Sequence, residues 1–427
     1  GLAGEADFIY TVGGEKQYGW DGTLLDSKGR TVGNPAGNTL AAAFLDFNQD
    51  GLPDLITMDD IPGRARLYEN LGEFRFKEVS LEHGFGAAGA WMGVAIGDLT
   101  GNGFQDVFAT NLGGPRGSRR QGPDARTMYT FDILNPPNLA TYYNGLWLFD
   151  GKSFRETADE APVEWGTWEP DIRWFPPSQE EASSEGILEP QGLERGEFGF
   201  GAAIFDYDND GNQDLLWTGG LLRAGVVSPE GKWQGNPGRL LKNEGNASFR
   251  DVSLETGVLN LSDKTDRATF QNGRGVAVGD FNNDGYYDVI LTNAGGWDSI
   301  EAPLLPEAAE YREIAFAREY RPGPTFLYLS EGGENNWLKV SLAGTQSNRS
   351  AIGAKIEIEY RVNGVQKKQI REVRAGESFA SQNSLEQIFG LGKAASADRL
   401  TVRWPSGEIQ VWENLEANQR VLLREGE

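Results

Sequence analysis

A nine-residue acidic motif that occurs four times constrains this sequence more than any other feature. Its copies span residues 46–54, 98–106, 206–214 and 280–288. Oxygen-bearing side chains stand at positions 1, 3, 5 and 9, and glycine stands at position 6. Glycine allows the positive φ that turns these oxygens toward one hard cation, and Ca²⁺ accepts six to eight oxygens in loose geometry. The repetition therefore predicts about four calcium sites.

The motif differs from an EF-hand loop, which has its closing acid at position 12 between two helices. Here the closing acid is at position 9, and both flanks are short apolar runs of the kind typical of buried strands. The runs are residues 42–45, 93–96, 202–205 and 275–278 before the loops, and 55–57, 107–110, 215–218 and 289–292 after them. Each loop is thus predicted to be a β-turn held by calcium, and the ion's role is either to stabilise the turn alone or to form part of a functional site.

The predicted metal-ligating residues occupy positions 1, 3, 5, 7 and 9 of each copy. They are Asp46, Asn48, Asp50, Leu52 and Asp54; Asp98, Thr100, Asn102, Phe104 and Asp106; Asp206, Asp208, Asp210, Asn212 and Asp214; and Asp280, Asn282, Asp284, Tyr286 and Asp288. The side-chain charge is −4 in the third copy, −3 in the first and fourth, and −2 in the second. Packed carboxylates repel each other unless a cation is present. Charge counting therefore predicts that the third loop binds calcium tightest and the second weakest.

The acidic composition limits the partners and the cellular location. The 427 residues carry 63 acidic and 39 basic side chains, a net charge of −24, so neither nucleic acid nor an anionic membrane is an expected partner. No run of 18 apolar residues is present, and the lack of cysteine rules out disulfides and thiol chemistry. Weak calcium loops fill only where calcium is millimolar, which favours an extracellular or periplasmic location. No signal peptide is visible in the chain, which begins at Gly1, and we expect that a leader was removed or the sequence trimmed.

The repeats extend beyond the loops into units of four short strands. Further strand-like segments follow each motif: residues 66–70 and 74–80, 145–149 and 153–157, 239–243 and 248–253, and 325–329. Such units cannot bury both faces alone and must stack, which predicts an all-β, calcium-binding β-propeller with four motif-bearing blades. The motif starts are 52, 108 and 74 residues apart, so the total blade number stays open. The longest gap contains either a degenerate blade or, as we prefer, long loops.

These units resemble the FG-GAP/VCBS repeats of integrin-like propellers. Short motifs at 347–349, 351–354, 371–373, 381–382, 389–392 and 404–407 resemble the ASPIC/UnbV domain. The combination is similar to the cartilage acidic protein family and its bacterial relatives, and we expect a bacterial member. The chain departs from the animal members in lacking cysteine. The resemblance implies a secreted, calcium-bound propeller followed by a small β-domain. The expected division is an N-terminal segment that closes the propeller (1–38), the propeller (39–334) and the C-terminal β-domain (335–427).

Long insertions are expected on the face opposite the calcium loops. If the strands of a unit are labelled A to D, the calcium loop joins A to B, so the B-to-C and D-to-A connections emerge at the other face. These insertions span roughly 111–144, 158–197, 219–238, 257–272 and 293–324, with a short helix predicted at 306–320. Aromatic and arginine residues concentrate there, as they do in recognition surfaces, although single tryptophans also fill propeller channels. The candidate ligand-binding residues are Trp165, Trp168, Trp174, Trp233, Trp297, Tyr129, Arg116 and Tyr311.

The residue inventory limits the available catalysis. His83 is the single histidine, which excludes a histidine-based triad and a zinc site of several histidines. An enzyme would rely on Asp, Glu, Tyr, Arg, Lys or calcium, and the catalytic candidates are Asp171, Asp298, Tyr143 and Arg173. The leading hypothesis is a calcium-stabilised propeller that binds a glycan, a protein or a small molecule through the long-loop face. The alternatives are an enzyme (a lyase, a hydrolase or a natural-product cyclase) with a pocket on that face, and a scaffold for assembly.

Overall fold

The computed structural model describes the repeats and the C-terminal region almost completely. The described residues are 10–12, 18–20, 23–25, 28, 39–60, 63–111, 144–158, 160–164, 193, 199–219, 221–223, 233–235, 238–260, 272–294 and 323–427. This part of the chain is all-β, as predicted, with a single short helix.

The strands follow the order of the repeats. The first are β1 (Tyr10–Val12), β2 (Tyr18–Trp20), β3 (Thr23–Leu25), β4 (Thr39–Leu45), β5 (Asp54–Asp59), β6 (Gly63–Asn70), β7 (Arg75–Glu78), β8 (Ala88–Gly89), β9 (Trp91–Gly97), β10 (Asp106–Asn111), β11 (Gly145–Phe149) and β12 (Phe154–Glu156). Next come β13 (Val163–Glu164), β14 (Ala202–Phe205), β15 (Asp214–Trp217), β16 (Leu221–Arg223), β17 (Trp233–Gly235), β18 (Arg239–Asn243), β19 (Phe249–Asp251), helix α1 (Ser253–Thr256), β20 (Gly273–Gly279), β21 (Asp288–Asn293) and β22 (Thr325–Tyr328). The C-terminal domain has β23 (Asn336–Ala343), β24 (Lys355–Val362), β25 (Val365–Glu372), β26 (Gln387–Gly392), β27 (Ser396–Arg403), β28 (Ile409–Glu416) and β29 (Gln419–Arg424).

Each motif joins the first two strands of an antiparallel sheet. The sheets have the strand orders β4-β5-β6-β7, β9-β10-β11-β12, β14-β15-β18-β19 and β20-β21-β22. In the third sheet, Phe205 lies opposite Asp214, so the motif is the hairpin turn between them. The other three hairpins have the same register. The predicted four-strand unit is confirmed in the first three copies, and the fourth sheet has three strands within the described residues.

The four sheets stack side by side like propeller blades, and we call them blades 1 to 4. The first strand of each blade lies against that of the next, in the succession β4, β9, β14 and β20. Separate apolar cores fill the spaces between successive blades. Glycine permits the closest approach: a Cβ at Gly201 would lie 2.6 Å from the backbone nitrogen of Val276 in the next blade. Position 201, directly before strand β14, therefore needs glycine because a methyl group does not fit between the two backbones.

Two blades gain an extra strand at the outer edge. Strand β3 pairs in parallel with β7 in blade 1, and β13 pairs in parallel with β19 in blade 3. The N-terminal segment thus contributes one strand to the outside of blade 1. Its predicted role in closing the propeller stays a prediction, because most of residues 1–38 lies outside the described residues.

The C-terminal domain has its own core between two sheets. Their strand orders are β26-β23-β29 and β25-β24-β27-β28. Fully buried side chains from both sheets fill the space between them, among them Val340, Ile358, Phe389 and Leu400. The two sheets therefore form the small C-terminal β-domain predicted from the sequence, while its boundary at residue 335 stays a prediction.

Residues 374–384 of this domain, which we call the plug, enter the space between the blades. Ser378 donates its backbone N–H to the carbonyl of Val94 on β9 at 2.6 Å, and its hydroxyl accepts the N–H groups of Ala202 on β14 (3.2 Å) and Val276 on β20 (3.3 Å). Ser378 is only 2% exposed. One serine thus satisfies backbone groups of three different blades, and this ties the domain to the propeller.

The long insertions fall mainly outside the described residues. Strands β16 and β17 form a hairpin within the 219–238 insertion, whereas the helix predicted at 306–320 lies outside the described part of the chain. None of the described helices has the length and apolar character needed to cross a bilayer.

Candidate metal centres and the domain that covers them

The first aspartate of every motif anchors the turn through two backbone hydrogen bonds. In the third loop, Asp206 accepts the N–H of Asp210 with Oδ1 (3.1 Å) and that of Gly211 with Oδ2 (2.9 Å). Asp46, Asp98 and Asp280 do the same in the other loops. The φ angles of the position-6 glycines are 90°, 87°, 98° and 89° along the chain. The expected left-handed glycine is therefore present in all four loops.

The side chains at positions 3 and 5 bring further oxygens to the same turn. In each loop the position-5 side chain accepts the N–H of position 7 with Oδ1, as Asp210 does from Asn212 at 2.8 Å. In the first, third and fourth loops, where position 5 is aspartate, Oδ2 of this aspartate therefore has no backbone partner. Carboxylate oxygens of Asp206, Asp208 and Asp210 all lie within 4.8 Å of one another. The third loop therefore concentrates the largest negative charge, as the sequence predicts.

The last aspartate of every motif joins the loop to the third strand of its blade. Asp214 accepts the N–H of Tyr207 with Oδ2 and that of Asn243 with Oδ1, both at 2.8 Å. Asp54, Asp106 and Asp288 make equivalent pairs, and all four are at most 1% exposed. Position 9 thus has a structural role that the sequence did not reveal, while its role as a metal ligand stays a prediction.

Burial raises the pKa of some of the motif carboxylates. Desolvation, with a smaller contribution from Asp50 and Asp46, raises the pKa of Asp54 to about 8. Desolvation, followed by repulsion from Asp210 and Asp208, raises the pKa of Asp206 to about 8. A carboxylate with such a pKa is costly to ionise unless a cation is close. The donor set, made only of carboxylate, amide and hydroxyl oxygens, fits a hard ion such as Ca²⁺.

The C-terminal domain places basic side chains on the first aspartates of the motifs. Lys355 Nζ lies 2.6 Å from Oδ2 of Asp46, and Lys339 Nζ lies 2.9 Å from Oδ2 of Asp280. A third basic residue, Arg371, is buried beside the second and third loops. Its charge opposes the rise in pKa that burial causes at Asp98 and Asp206. These contacts were not predicted, and they place the domain over the face of the blades that carries the four motif loops. We call it the metal-loop face because these loops are the candidate metal centres.

A cavity of about 680 Å³ lies between the first two loops and the C-terminal domain. Its walls include Asp46, Phe104, Lys355 and Trp404. Both signs of charge and several apolar groups line it, so no single ligand class is indicated.

The residues predicted to bind a ligand or to catalyse a reaction lie outside the described residues. This applies to Trp165, Trp168, Trp174, Trp297, Tyr129, Arg116, Tyr311, Asp171, Asp298, Tyr143 and Arg173. Trp233 belongs to strand β17 in the 219–238 insertion. His83 lies in a turn, where its ring packs against Phe47 at 4.9 Å and Nδ1 lies 3.0 Å from the carbonyl of Lys152. It is half-buried, rather than exposed as a turn residue would be, and it joins blades 1 and 2.

Comparison with protein families agrees with the geometry of both parts of the chain. The profile described as "ASPIC and UnbV" matches residues 344–427, which form the C-terminal domain. Profiles described as an "FG-GAP-like repeat" and an "FG-GAP repeat" match residues 46–109 and 272–299, which contain three of the four motifs. The chain contains FG-GAP repeats followed by a C-terminal ASPIC/UnbV domain. Both resemblances seen in the sequence are therefore confirmed.

The curated relatives are cartilage acidic proteins. Cartilage acidic protein 1 of Xenopus tropicalis is 23% identical over 338 residues, which are 78% of this chain and 44% of that protein. The Homo sapiens protein of the same name is 21% identical over 436 residues, covering 87% of this chain and 61% of that protein. This FG-GAP and ASPIC/UnbV chain thus spans less than two thirds of either relative. A solved structure, the V. cholerae biofilm matrix protein Bap1, is 11% identical with a TM-score of 0.26 over 88% of this chain and 59% of that chain, which is too low to carry an argument.

Proposed function

We propose that this protein is an extracellular, calcium-stabilised β-propeller that binds its ligand through the long-loop face. The observation that carries the proposal is the position of the ASPIC/UnbV domain. Its basic residues Lys355, Lys339 and Arg371 contact or adjoin the metal loops, and its plug lies between the blades. This domain occupies the metal-loop face, which leaves the opposite face for recognition.

The direction of the strands supports the same assignment. Strand β10 runs from the second motif at Asp106 to Asn111, where the 111–144 insertion begins. Strand β21 likewise runs from Asp288 to Asn293 at the start of the 293–324 insertion. Both insertions therefore leave the blades at the end opposite the metal loops. Their aromatic and arginine content is typical of recognition surfaces.

The extracellular assignment follows from the ion. Loops of this kind fill at the millimolar calcium concentrations found outside cells. The acidic surface and the absence of cysteine in the 427 residues are compatible with that environment. Buried carboxylates such as Asp54 and Asp206 provide the physical reason for a divalent ion.

The described residues do not favour the enzyme alternative. A carboxylate with a raised pKa beside arginine and tyrosine would suit catalysis. Asp206 of the third motif, Tyr287 of the fourth motif and Arg371 of the C-terminal domain form such a group, but they are at most 9% exposed, at the contact between the loops and that domain. A substrate cannot reach them without separating the two domains. The group therefore belongs to the interface.

Calcium removal is the first test of the proposal. We expect the melting temperature in excess chelator to fall by about 10 °C or more, since several sites each contribute a few kcal/mol when calcium is well above the dissociation constant. Differential scanning calorimetry measures this fall, and added Ca²⁺ should reverse it where the same concentration of Mg²⁺ does not. An unchanged melting temperature would remove calcium from the proposal.

The recognition face is tested with matched surface variants. The triple variant W165A/W168A/W174A changes the 158–197 insertion, and the control I409A/V411A changes exposed residues of strand β28 in the C-terminal domain. On arrays of immobilised glycans and purified extracellular proteins, the triple variant should lose about tenfold or more in affinity for any ligand the wild type binds, while the control keeps it. The reverse result would place recognition on the C-terminal domain.

A further inference from the structure

We propose that Lys242 is a built-in cation of the third metal loop, and that it makes this most acidic loop bind Ca²⁺ more weakly than the first and fourth loops. The inference rests on the calcium-stabilised propeller proposed above and concerns which of its loops the ion fills. It reverses the ranking that follows from counting carboxylates.

The ammonium group of Lys242 occupies the oxygens that the backbone leaves available. Asp208 uses Oδ1 for the N–H of Asp210, and Asp210 uses Oδ1 for the N–H of Asn212. Lys242 Nζ contacts Oδ2 of Asp208 and lies 2.9 Å from Oδ2 of Asp210. The side chain of the lysine is 15% exposed. A metal in this loop would need the same two atoms.

In the first and fourth loops, the neutral side chain of an asparagine contacts the equivalent oxygen, which is Oδ2 of the position-5 aspartate. Asn48 Nδ2 donates to Oδ2 of Asp50 at 3.0 Å, and Asn282 Nδ2 donates to Oδ2 of Asp284 at 2.8 Å. An amide side chain can turn its oxygen toward an incoming cation, whereas an ammonium group has three donors and no acceptor. Calcium therefore enters the first and fourth loops with a rotation of asparagine, but it must displace a positive charge from the third.

Comparison of the four blades shows that Lys242 and the additional aspartate at position 3 of the motif occur together in blade 3. Lys242 precedes Asn243, the residue whose N–H donates to Asp214 at the end of the motif. The residues in the equivalent position of the other blades are Glu69, Leu148 and Leu329. Only the third motif has aspartate at position 3, and only its blade has the lysine. The first and fourth loops also accept a lysine, but at Oδ2 of the position-1 aspartate, whose two oxygens already accept backbone N–H groups. The third loop differs because its lysine holds the position-3 and position-5 oxygens that the backbone leaves available.

The ammonium group of Lys242 carries a positive charge at neutral pH, as lysine ordinarily does. At its contact distances from Asp208 and Asp210, this charge repels a divalent ion that approaches the same two carboxylates.

Calcium titration of K242M tests the inference. Isothermal calorimetry on chelator-stripped protein should show that K242M gains one site that is about tenfold or more tighter than any third-loop site of the wild type. K393M is the matched control, because Lys393 is 60% exposed beside Glu334 and its loss changes the net charge equally. Adding D210N to K242M should abolish the gained site, which assigns it to the third loop.

A second variant covers the possibility that K242M folds poorly. The double variant D208N/K242L reproduces the fourth loop, which has asparagine at position 3 and leucine at the strand position. It restores the charge balance and should bind calcium at the third loop as tightly as the first and fourth loops do.

Stability gives an independent readout. In chelator, K242M should melt below the wild type because its carboxylates lose their cation, and saturating calcium should remove or reverse this difference. Isotherms of K242M and D208N/K242L that match those of K393M and the wild type would overturn the role of Lys242. Failure of the wild type to bind calcium at any loop would instead overturn the proposed function, so the two failures are distinguishable.

Discussion

Replacing Gly285 with alanine will destabilise the protein much more than the same change at Gly51. Both glycines occupy position 6 of a motif, with φ of 89° and 90°. A Cβ at Gly51 meets nothing within 4 Å, whereas a Cβ at Gly285 overlaps the indole ring of Trp337 in the C-terminal domain. The positive φ costs alanine about 1–2 kcal/mol at either site. Steric overlap adds about 1–3 kcal/mol at Gly285 alone.

Equilibrium urea denaturation in calcium-containing buffer measures the difference between G285A and G51A. The double variant G285A/W337L separates the two contributions, because the smaller side chain relieves the overlap and leaves only the backbone cost. The loss caused by G285A should therefore be smaller in the W337L background than in the wild type. Equal losses at the two glycines would show that Trp337 does not rest on the fourth loop in solution.

The sequence predicted the structure well wherever the determining interactions are local. Gly211 and the carboxylate of Asp206 that accepts its N–H are five residues apart, so the turn is encoded within one motif. The flanking apolar runs became strands β14 and β15, which pair directly across that turn. Repetition of the same local signal four times then determined the stacked sheets, since each sheet has an apolar face to bury.

The docking of the C-terminal domain could not be predicted in this way. Lys355 and Asp46 are 309 residues apart, and neither position carries a periodic signal that links them. Ser378 lies in a segment without regular structure, yet it satisfies backbone groups of three blades. Arg371 belongs to a short motif that the sequence analysis identified, but its partners on the second and third loops became apparent only in the folded chain.

Lys242 is the reason why we propose a calcium affinity for the third loop that differs from the one predicted by counting motif residues. The lysine is 34 residues from Asp208 along the chain and comes from the third strand of the blade rather than from the motif. A count restricted to the nine motif residues includes the extra aspartate and misses its partner. The net charge at the third loop should therefore be counted over the motif together with the end of strand β18, and not over the motif alone.

The contacts of the C-terminal domain connect metal binding to domain docking. The first aspartates of the first and fourth motifs each accept a lysine from this domain. The same side chains anchor the turns that are predicted to hold calcium. A divalent ion and a lysine therefore both compensate the buried charge of one carboxylate, and the loss of either increases the demand on the other.

Replacing Lys339 with methionine should reveal this connection as a large loss of stability in the absence of calcium. The side chains of Lys339 and Asp280 are only 3% and 1% exposed, so removing the lysine leaves a buried carboxylate without its partner, at a cost of about 3–5 kcal/mol. Lys355 makes the same type of pair with Asp46 but is 22% exposed, and K355M should cost about 1 kcal/mol. Urea denaturation in chelator compares the two variants.

Two further measurements identify the cause of the loss in K339M. The double variant D280N/K339M should recover most of the stability, because no buried carboxylate is then left uncompensated. Saturating calcium should reduce the cost of K339M, since the ion supplies positive charge to the same loop. If K339M and K355M cost the same, and if calcium leaves both values unchanged, the buried contact between the C-terminal domain and the fourth loop is not what holds the two domains together.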